Sequence, residues 1–252
     1  MNSIQEIKTV LQHASYEELP DYIAAYGQDE RAGVQKEIVK AQKRLERWQA
    51  EVQRIENMKT YEYQYWEEYD YVCGIDEVGR GPLAGPVMAA AVIFPKDVSL
   101  LYLNDSKKLS EKKREELYEE IKASAISYAV GIADVATIDE INILQADYVA
   151  MRQAISKLSV EPQILLNDAV TIPLVKQPQV PIIKGDTKSI SIAAASILAK
   201  VERDRLMQVY DEIYPEYGFA QNKGYGTAEH IEAIRKYGPC DIHRRTFIKK
   251  IL

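Results

Sequence analysis

Nowhere does the chain carry about 18 consecutive apolar residues, the least that a membrane-crossing helix needs, so neither a span nor a membrane partner is expected. Cysteine is scarce as well. Cys73 and Cys240 form no CxxC pair, which leaves neither a disulfide framework nor a thiolate zinc site to look for. Cys73 stands in an apolar, strand-like run and reads as core filler. The three histidines, His13, His230 and His243, show no metal-ligand spacing, and no GxSxG is present to carry a serine nucleophile. Met1-Asn2-Ser3-Ile4-Gln5-Glu6 has neither the basic flank nor the apolar stretch of a secretory signal. A reduced, cytoplasmic setting is the expectation. What is present is 252 residues, 46% hydrophobic and 28% charged, enough for a sizeable core.

The net charge of −6 speaks at first against a nucleic-acid partner, but its distribution weakens that objection. Residues 1–70 hold 14 acidic and 9 basic side chains, whereas the remainder holds 24 and 23. If four of those later acids bind metal, the rest of that region is slightly positive. A low overall charge leaves room for a local basic surface.

Two regions read differently. In the first 70 residues Val34, Ile38, Ala41, Leu45, Trp48, Val52 and Ile55 recur at alternating spacings of four and three, a heptad seam that predicts a helix over about 31–58. Ile4, Ile7 and Leu11 suggest a short helix, and Tyr16–Tyr26 another, with Ser15 as cap and Gly27 as stop. Packing, dimerisation and nucleic-acid handling all remain open as roles for this extension, which shows no chemistry. Its connector carries Tyr61, Tyr63, Tyr65, Trp66, Tyr69 and Tyr71. Such rings can stack on bases, but interleaved Glu62, Glu67, Glu68 and Asp70 would repel phosphates, which favours docking between domains.

Residues 71–252 alternate strands and helices without internal repeats, as one sheet covered by helices would. Strands are expected at Tyr71–Asp76, Val87–Phe94, Ala125–Val135, Gln163–Asp168 and Val180–Lys184. Helices are expected from Ser110 to Lys122, from a Thr137/Glu140 capping box to Leu158, over Ser189–Ile213, and from Thr227 to Gly238. Acids stand at strand ends. Asp76 closes an apolar strand, with Glu77 directly after it. Asp168 closes Ile164-Leu165-Leu166, and Asp186 follows Lys184-Gly185. Neighbours on a strand point to opposite faces, so Asp76 and Glu77 can share a site only if the chain bends, for which Gly79-Arg80-Gly81-Pro82 supplies the means. Acids at several strand ends can converge on two hard cations through oxygen ligands.

Gly74-Ile75-Asp76-Glu77-Val78-Gly79-Arg80-Gly81-Pro82-Leu83-Ala84-Gly85-Pro86-Val87 resembles the leading signature of the ribonuclease HII family. So, in the family's order, do Asn104-Asp105-Ser106-Lys107-Lys108-Leu109-Ser110, Lys184–Ser189 with Ile192–Ser196, Gly224-Tyr225-Gly226-Thr227, and the closing His243-Arg244-Arg245-Thr246-Phe247. The resemblance covers about residues 71–247. It implies an α/β RNase H-like fold with a mixed central sheet flanked by helices, to which the N-terminal helical extension is added. It also implies a metal-dependent endoribonuclease with Asp76, Glu77, Asp168 and Asp186 as catalytic metal ligands for two Mg²⁺ or Mn²⁺ ions. Gly79, Arg80 and Gly81 would read the ribose 2′-OH, Tyr225 would stack on the following deoxyribose, and Lys107, Lys108 and Lys188 would meet phosphates. Asp105, Asp204 and His243 read as structural or supporting. The substrates implied are RNA/DNA hybrids and duplex DNA with embedded ribonucleotides, cut 5′ of the ribonucleotide to leave 3′-OH and 5′-phosphate, as in ribonucleotide excision repair. One departure is Asn167, where the family usually has an aliphatic residue; on a strand it faces away from Asp168 and needs a hydrogen-bond partner. The alternatives are a ribonuclease HIII-like hybrid nuclease, against which Gly79-Arg80-Gly81 discriminates, and a non-catalytic hybrid-binding protein.

Overall fold

The run Val87–Ile93, apolar at every position, is buried along its whole length in the computed structural model, which describes residues 2–252. It is β2 of a five-stranded sheet whose other members are β1 (Val72–Val78), β3 (Ser127–Ala133), β4 (Ile164–Asp168) and β5 (Gln179–Ile182). The spatial order is β3-β2-β1-β4-β5. β1 pairs antiparallel with β2, and β2 with β3, while β4 runs parallel to β1 and β5 parallel to β4. The helices are α1 (Ile4–His13), α2 (Leu19–Tyr26), α3 (Ala32–Met58), α4 (Thr60–Trp66), α5 (Glu111–Ser124), α6 (Val135–Ile141), α7 (Ile143–Ser156), α8 (Ile190–Ile213), α9 (Phe219–Asn222), α10 (Ala228–Tyr237) and α11 (Arg245–Ile248). No helix among the described residues is long and apolar enough to cross a membrane.

Both faces of the sheet are covered, which is why β2 needs no polar side. Cys73, Ile75, Ala89, Ala91 and Leu165 pack against Ile138 of α6 and Ala146, Ala150, Met151 and Ala154 of α7. The other face receives α8, whose Ala193, Ala194 and Ala195 are fully buried. The approach is close enough that a Cβ on Gly74 would collide with the backbone of Ser191 and Ile192. Glycine is required there by space alone.

One expected helix is two. Asn142, at φ 68°, breaks the run into α6 and α7 and caps α7 by accepting from the Leu144 and Gln145 N–H groups (3.0 and 3.2 Å). The expected Thr137/Glu140 box does not form, because Asp134 takes the cap position and accepts from the Thr137 N–H at 2.8 Å. Likewise α2 begins at Leu19, since Ser15 and Glu18 close a separate turn on each other.

The chain divides into two compact units, residues 1–57 and 58–252. In the first, Ile7, Leu11 and Leu19 pack against Val34, Ile38 and Ala41 of α3, and Tyr16 stacks on Trp48 with ring centres 4.9 Å apart. α4, read from the sequence as part of the connector, lies in the second unit. Its Glu62 is fully buried and accepts from the Ser189 hydroxyl and the Ser191 N–H (3.0 Å), so it helps to cap α8. Burial pushes the Glu62 carboxyl up, and those two donors oppose the shift. Glu62→Ala should therefore cost about 1–3 kcal/mol in urea unfolding, since buried donors lose their acceptor. Exposed Glu67→Ala should stay within about 0.5 kcal/mol of the parent.

Candidate active site

Parallel pairing decides where the acids go. β1, β4 and β5 run the same way, so their C-terminal ends reach one edge of the sheet. Asp76 and Glu77 lie near the end of β1, Asp168 ends β4, and Asp186 sits in the turn Gly185–Thr187 just beyond β5. Asp76, Glu77 and Asp168 each offer an oxygen within 4.8 Å of the others. Asp186 stands outside that trio but lines the same cleft of about 480 Å³, together with Gly79, Arg80, Gly81, Ser106, Lys107, Ser196, Lys200 and Tyr225.

The bend expected between Asp76 and Glu77 is not there. The β1–β2 ladder keeps its register through Val78, with Asp76 opposite Ala90 and Glu77 opposite Ala89. Their side chains leave opposite faces and meet around the strand end instead. Asp76 stands on the α8 side near Ser196, which draws its carboxyl down against the burial, with its Oδ1 accepting from the Glu77 N–H at 2.8 Å. Glu77 stands on the α7 side, where its charge acts on Asp147. Ser196 is held in turn by the Ser106 hydroxyl at 3.0 Å, and Asp168 accepts from the Gly185 N–H at 2.7 Å.

Like charges crowd this edge. Burial pushes the Asp76 carboxyl well above the usual range, and the charges of Glu77 and Asp168 push it further. Asp186 is raised by burial, then by Asp105 and Asp168, against Lys107 and Lys108. Glu77 Oε2 is buried with no protein partner. Oxygen-only donors, mutual repulsion and a spare buried oxygen fit a hard divalent cation, which would hold these acids ionised.

Two buried arginines hold the loops that flank the acids, and neither was legible as such in the sequence. Arg244 donates to the carbonyls of Gly79, Arg80 (3.0 Å) and Gly85 (2.9 Å). Arg203 donates to those of Ala84 (3.1 Å), Pro86 (3.0 Å) and Lys223 (2.8 Å). Both side chains are wholly buried, and burial pulls Arg244 down to about 9. In a trans peptide the N–H points opposite to the C=O, so the N–H groups of Arg80 and Gly81 face away from Arg244. Gly79, at φ 93°, has its α-carbon against Arg203 and Pro86, where a Cβ would not fit.

The Tyr225 segment is fixed by a one-way chain of hydrogen bonds. The Cys240 N–H donates to His243 Nδ1 at 3.0 Å, so the His243 proton sits on Nε2. That proton goes to His230 Nε2 at 3.0 Å, leaving the His230 proton on Nδ1 to meet the Tyr225 carbonyl at 2.8 Å. The chain requires neutral rings. Burial and the neighbouring His230 pull His243 down to about 4, and burial lowers His230.

Of the expected lysines, Lys107 lines the cleft, Lys108 is exposed beside it and acts on Asp186, and Lys188 is exposed outside the lining. Lys200, unremarked in the sequence, lines it and pairs with Asp204 at 2.6 Å. Asn167 is fully buried on the far face, where its Nδ2 donates to Gln179 Oε1 (2.8 Å) and the Val170 carbonyl (3.1 Å). Asn167→Leu should accordingly leave kcat/KM within about twofold of the parent, under 0.5 kcal/mol of barrier. Asp147, Arg203 and His230 share one retrospective signal: each occupies the buried stripe of its helix, as with 147, 150, 151 and 154 on α7.

Known proteins resemble this chain over both of its regions. Residues 73–250 match the family model described as Ribonuclease HII, and residues 3–66 the one described as Ribonuclease HII N-terminal domain. A ribonuclease HII of Lachnoclostridium phytofermentans is 63% identical over 226 residues, 90% of this chain and 89% of that protein. One of Clostridioides difficile is 52% identical over 251 residues, 99% and 98% of the two chains. The crystal structure of ribonuclease H2 from Pyrococcus horikoshii superposes with a TM-score of 0.59 at 28% identity, covering 72% of this chain and 96% of the other. With both of its regions matched and its strand-end acids gathered at one cleft, the chain belongs to the ribonuclease HII family.

Proposed function

We propose that the protein hydrolyses the ribonucleotide-containing strand of RNA/DNA hybrids and of duplex DNA with single embedded ribonucleotides. Cleavage falls 5′ of the ribonucleotide and leaves 3′-OH and 5′-phosphate ends, the incision that opens ribonucleotide excision repair. The observation that carries this reading is the convergence of Asp76, Glu77 and Asp168 in one cleft with Asp186 and the Gly79-Arg80-Gly81 loop.

In this reading Asp76, Glu77, Asp168 and Asp186 hold two Mg²⁺ or Mn²⁺ ions. Such ions, when bound, supply an activated water and charge stabilisation for the leaving 3′-oxygen. The chain's own residues do the rest. Ser196 favours the charged form of Asp76, and the Gly185 N–H fixes the carboxylate of Asp168. The N–H groups of Arg80 and Gly81, turned away from Arg244, are free to donate to the ribose and its phosphate. Tyr225 packs on the next sugar, and Lys107 faces the phosphate backbone from the cleft wall.

The test is a 5′-labelled duplex with one ribonucleotide, incubated with Mg²⁺ or Mn²⁺ and, in parallel, with EDTA. One cut on the 5′ side of the ribonucleotide, absent with EDTA, is expected. An intact duplex at high enzyme concentration, or cutting that survives EDTA, overturns the reading.

A further inference from the structure

Asp147 is a buried acid that the mechanism above does not use. It lies on α7 with no exposed surface, and neither of its carboxylate oxygens has a hydrogen-bond partner. Its neighbours on the helix stripe, Ala150, Met151 and Ala154, are apolar and fully buried. Packing there asks for an apolar side chain, and a carboxylate without donors works against the fold.

Arg80 is the group it faces. The guanidinium spans two acids, with Nη1 at 3.4 Å from Glu77 Oε1 and Nε at 3.8 Å from Asp147 Oδ2, and it is 43% exposed. Neither approach is a close, forked ion pair of the kind arginine makes best. Glu77 belongs to the acid trio, so a cation held by that trio competes with Arg80 for Glu77 and repels the guanidinium. Asp147 is the other ion-pair partner of Arg80, and both of its oxygens are spare.

We propose that Asp147 is a positioning residue: it takes over Arg80 from Glu77 and holds the guanidinium in its substrate-facing pose. α7 thereby sets the arginine of the Gly79-Arg80-Gly81 loop, and Glu77 is left to its oxygen-ligand role. This rests on the nuclease reading above.

The experiment is a double-variant cycle on the full chain, using Asp147→Asn, Asp147→Leu, Arg80→Ala and the two combinations. Four quantities are read: kcat and KM on the single-ribonucleotide duplex, the Kd for that duplex in EDTA, and the Tm in EDTA. Measured at pH 9, above the value of about 8 to which burial and the charge of Glu77 push the Asp147 carboxyl, removing the buried charge should raise the Tm by roughly 2–4 °C, whereas a residue kept for packing would lower it. In the Arg80 background the Asp147 substitutions should change nothing further. In the parent background they should lower kcat/KM about tenfold, within the range of coupled neighbours. The Kd in EDTA should move much less, because Glu77 still holds Arg80 there. Fold losses that multiply in the double variants overturn the proposal, as does a lower Tm for both Asp147 variants. Asp147 variants that cut like an active parent also overturn it and leave the nuclease reading intact. A parent that fails to cut sinks the nuclease reading instead.

Discussion

Asp168→Asn should abolish cleavage while leaving duplex binding and fold in place. The substitution keeps the shape of the side chain and its acceptor for the Gly185 N–H, and removes one negative charge from the trio. A loss of about 10³-fold or more is expected, roughly 4 kcal/mol of transition-state stabilisation. The same change should relieve the metal-free protein. The Asp76 carboxyl titrates above its ordinary range in the folded chain, because of burial first and the charges of Glu77 and Asp168 next. For an acid raised in this way, stability falls as pH climbs from its unfolded value through its folded one. In EDTA the parent should therefore melt lower at pH 8 than at pH 5 on account of this group. In Asp168→Asn, where one source of the repulsion is gone, that gap should narrow. Near-normal activity at saturating Mg²⁺ would show that Asp168 is not a ligand. An unchanged gap would show that the acids do not feel one another.

The RNase H-like architecture was legible because its signals are local and strong. The purely apolar run Val87–Phe94 read as a strand, and Asp76 at the end of an apolar run pointed to a site at the sheet edge. The bend proposed for Asp76 and Glu77 was the wrong solution to a real problem. A glutamate is long enough to reach round a strand end, so the ladder never has to break. The split at Asn142 was hidden because the apolar period runs on across it, and only the backbone shows the left-handed residue. Arg203, Arg244 and Glu62 were missed for a deeper reason. Arg203 and Glu62 sit on helices, where charged side chains ordinarily face water, Arg244 directly precedes α11, and most of their partners here are carbonyls and hydroxyls more than 100 residues away in the chain. Pairwise spacing along a sequence carries no trace of such contacts.

A duplex with a single ribonucleotide should be cut, its all-DNA counterpart should not, and Tyr225→Ala should weaken the first without unfolding the protein. The geometry behind this is the closeness of the two elements that would read the sugar pair. A methyl group on Gly81 would lie only 3.6 Å from Tyr225 Cε1, so the ring flanks the glycine loop. Arg244 holds the loop through its carbonyls, and the His243–His230 chain holds the Tyr225 backbone, so neither depends on the tyrosine ring. Tyr225 is 43% exposed and lines the cleft. Its truncation should then act on substrate alone, with a loss of roughly 10–100-fold, the worth of one stacking contact. A deoxyribose in place of the ribose would leave loop donors without the 2′-OH, at about 1–3 kcal/mol for each. The assay compares matched duplexes holding no ribonucleotide, one, and a run of four, with parent and Tyr225→Ala. The variant should lose most on the single-ribonucleotide duplex, where the sugar after the ribonucleotide is always deoxyribose, and least on the run of four. Cutting of the run with the single one spared by the parent would point to the HIII-like nuclease, and cutting of the all-DNA duplex would reject a ribonucleotide-reading site altogether.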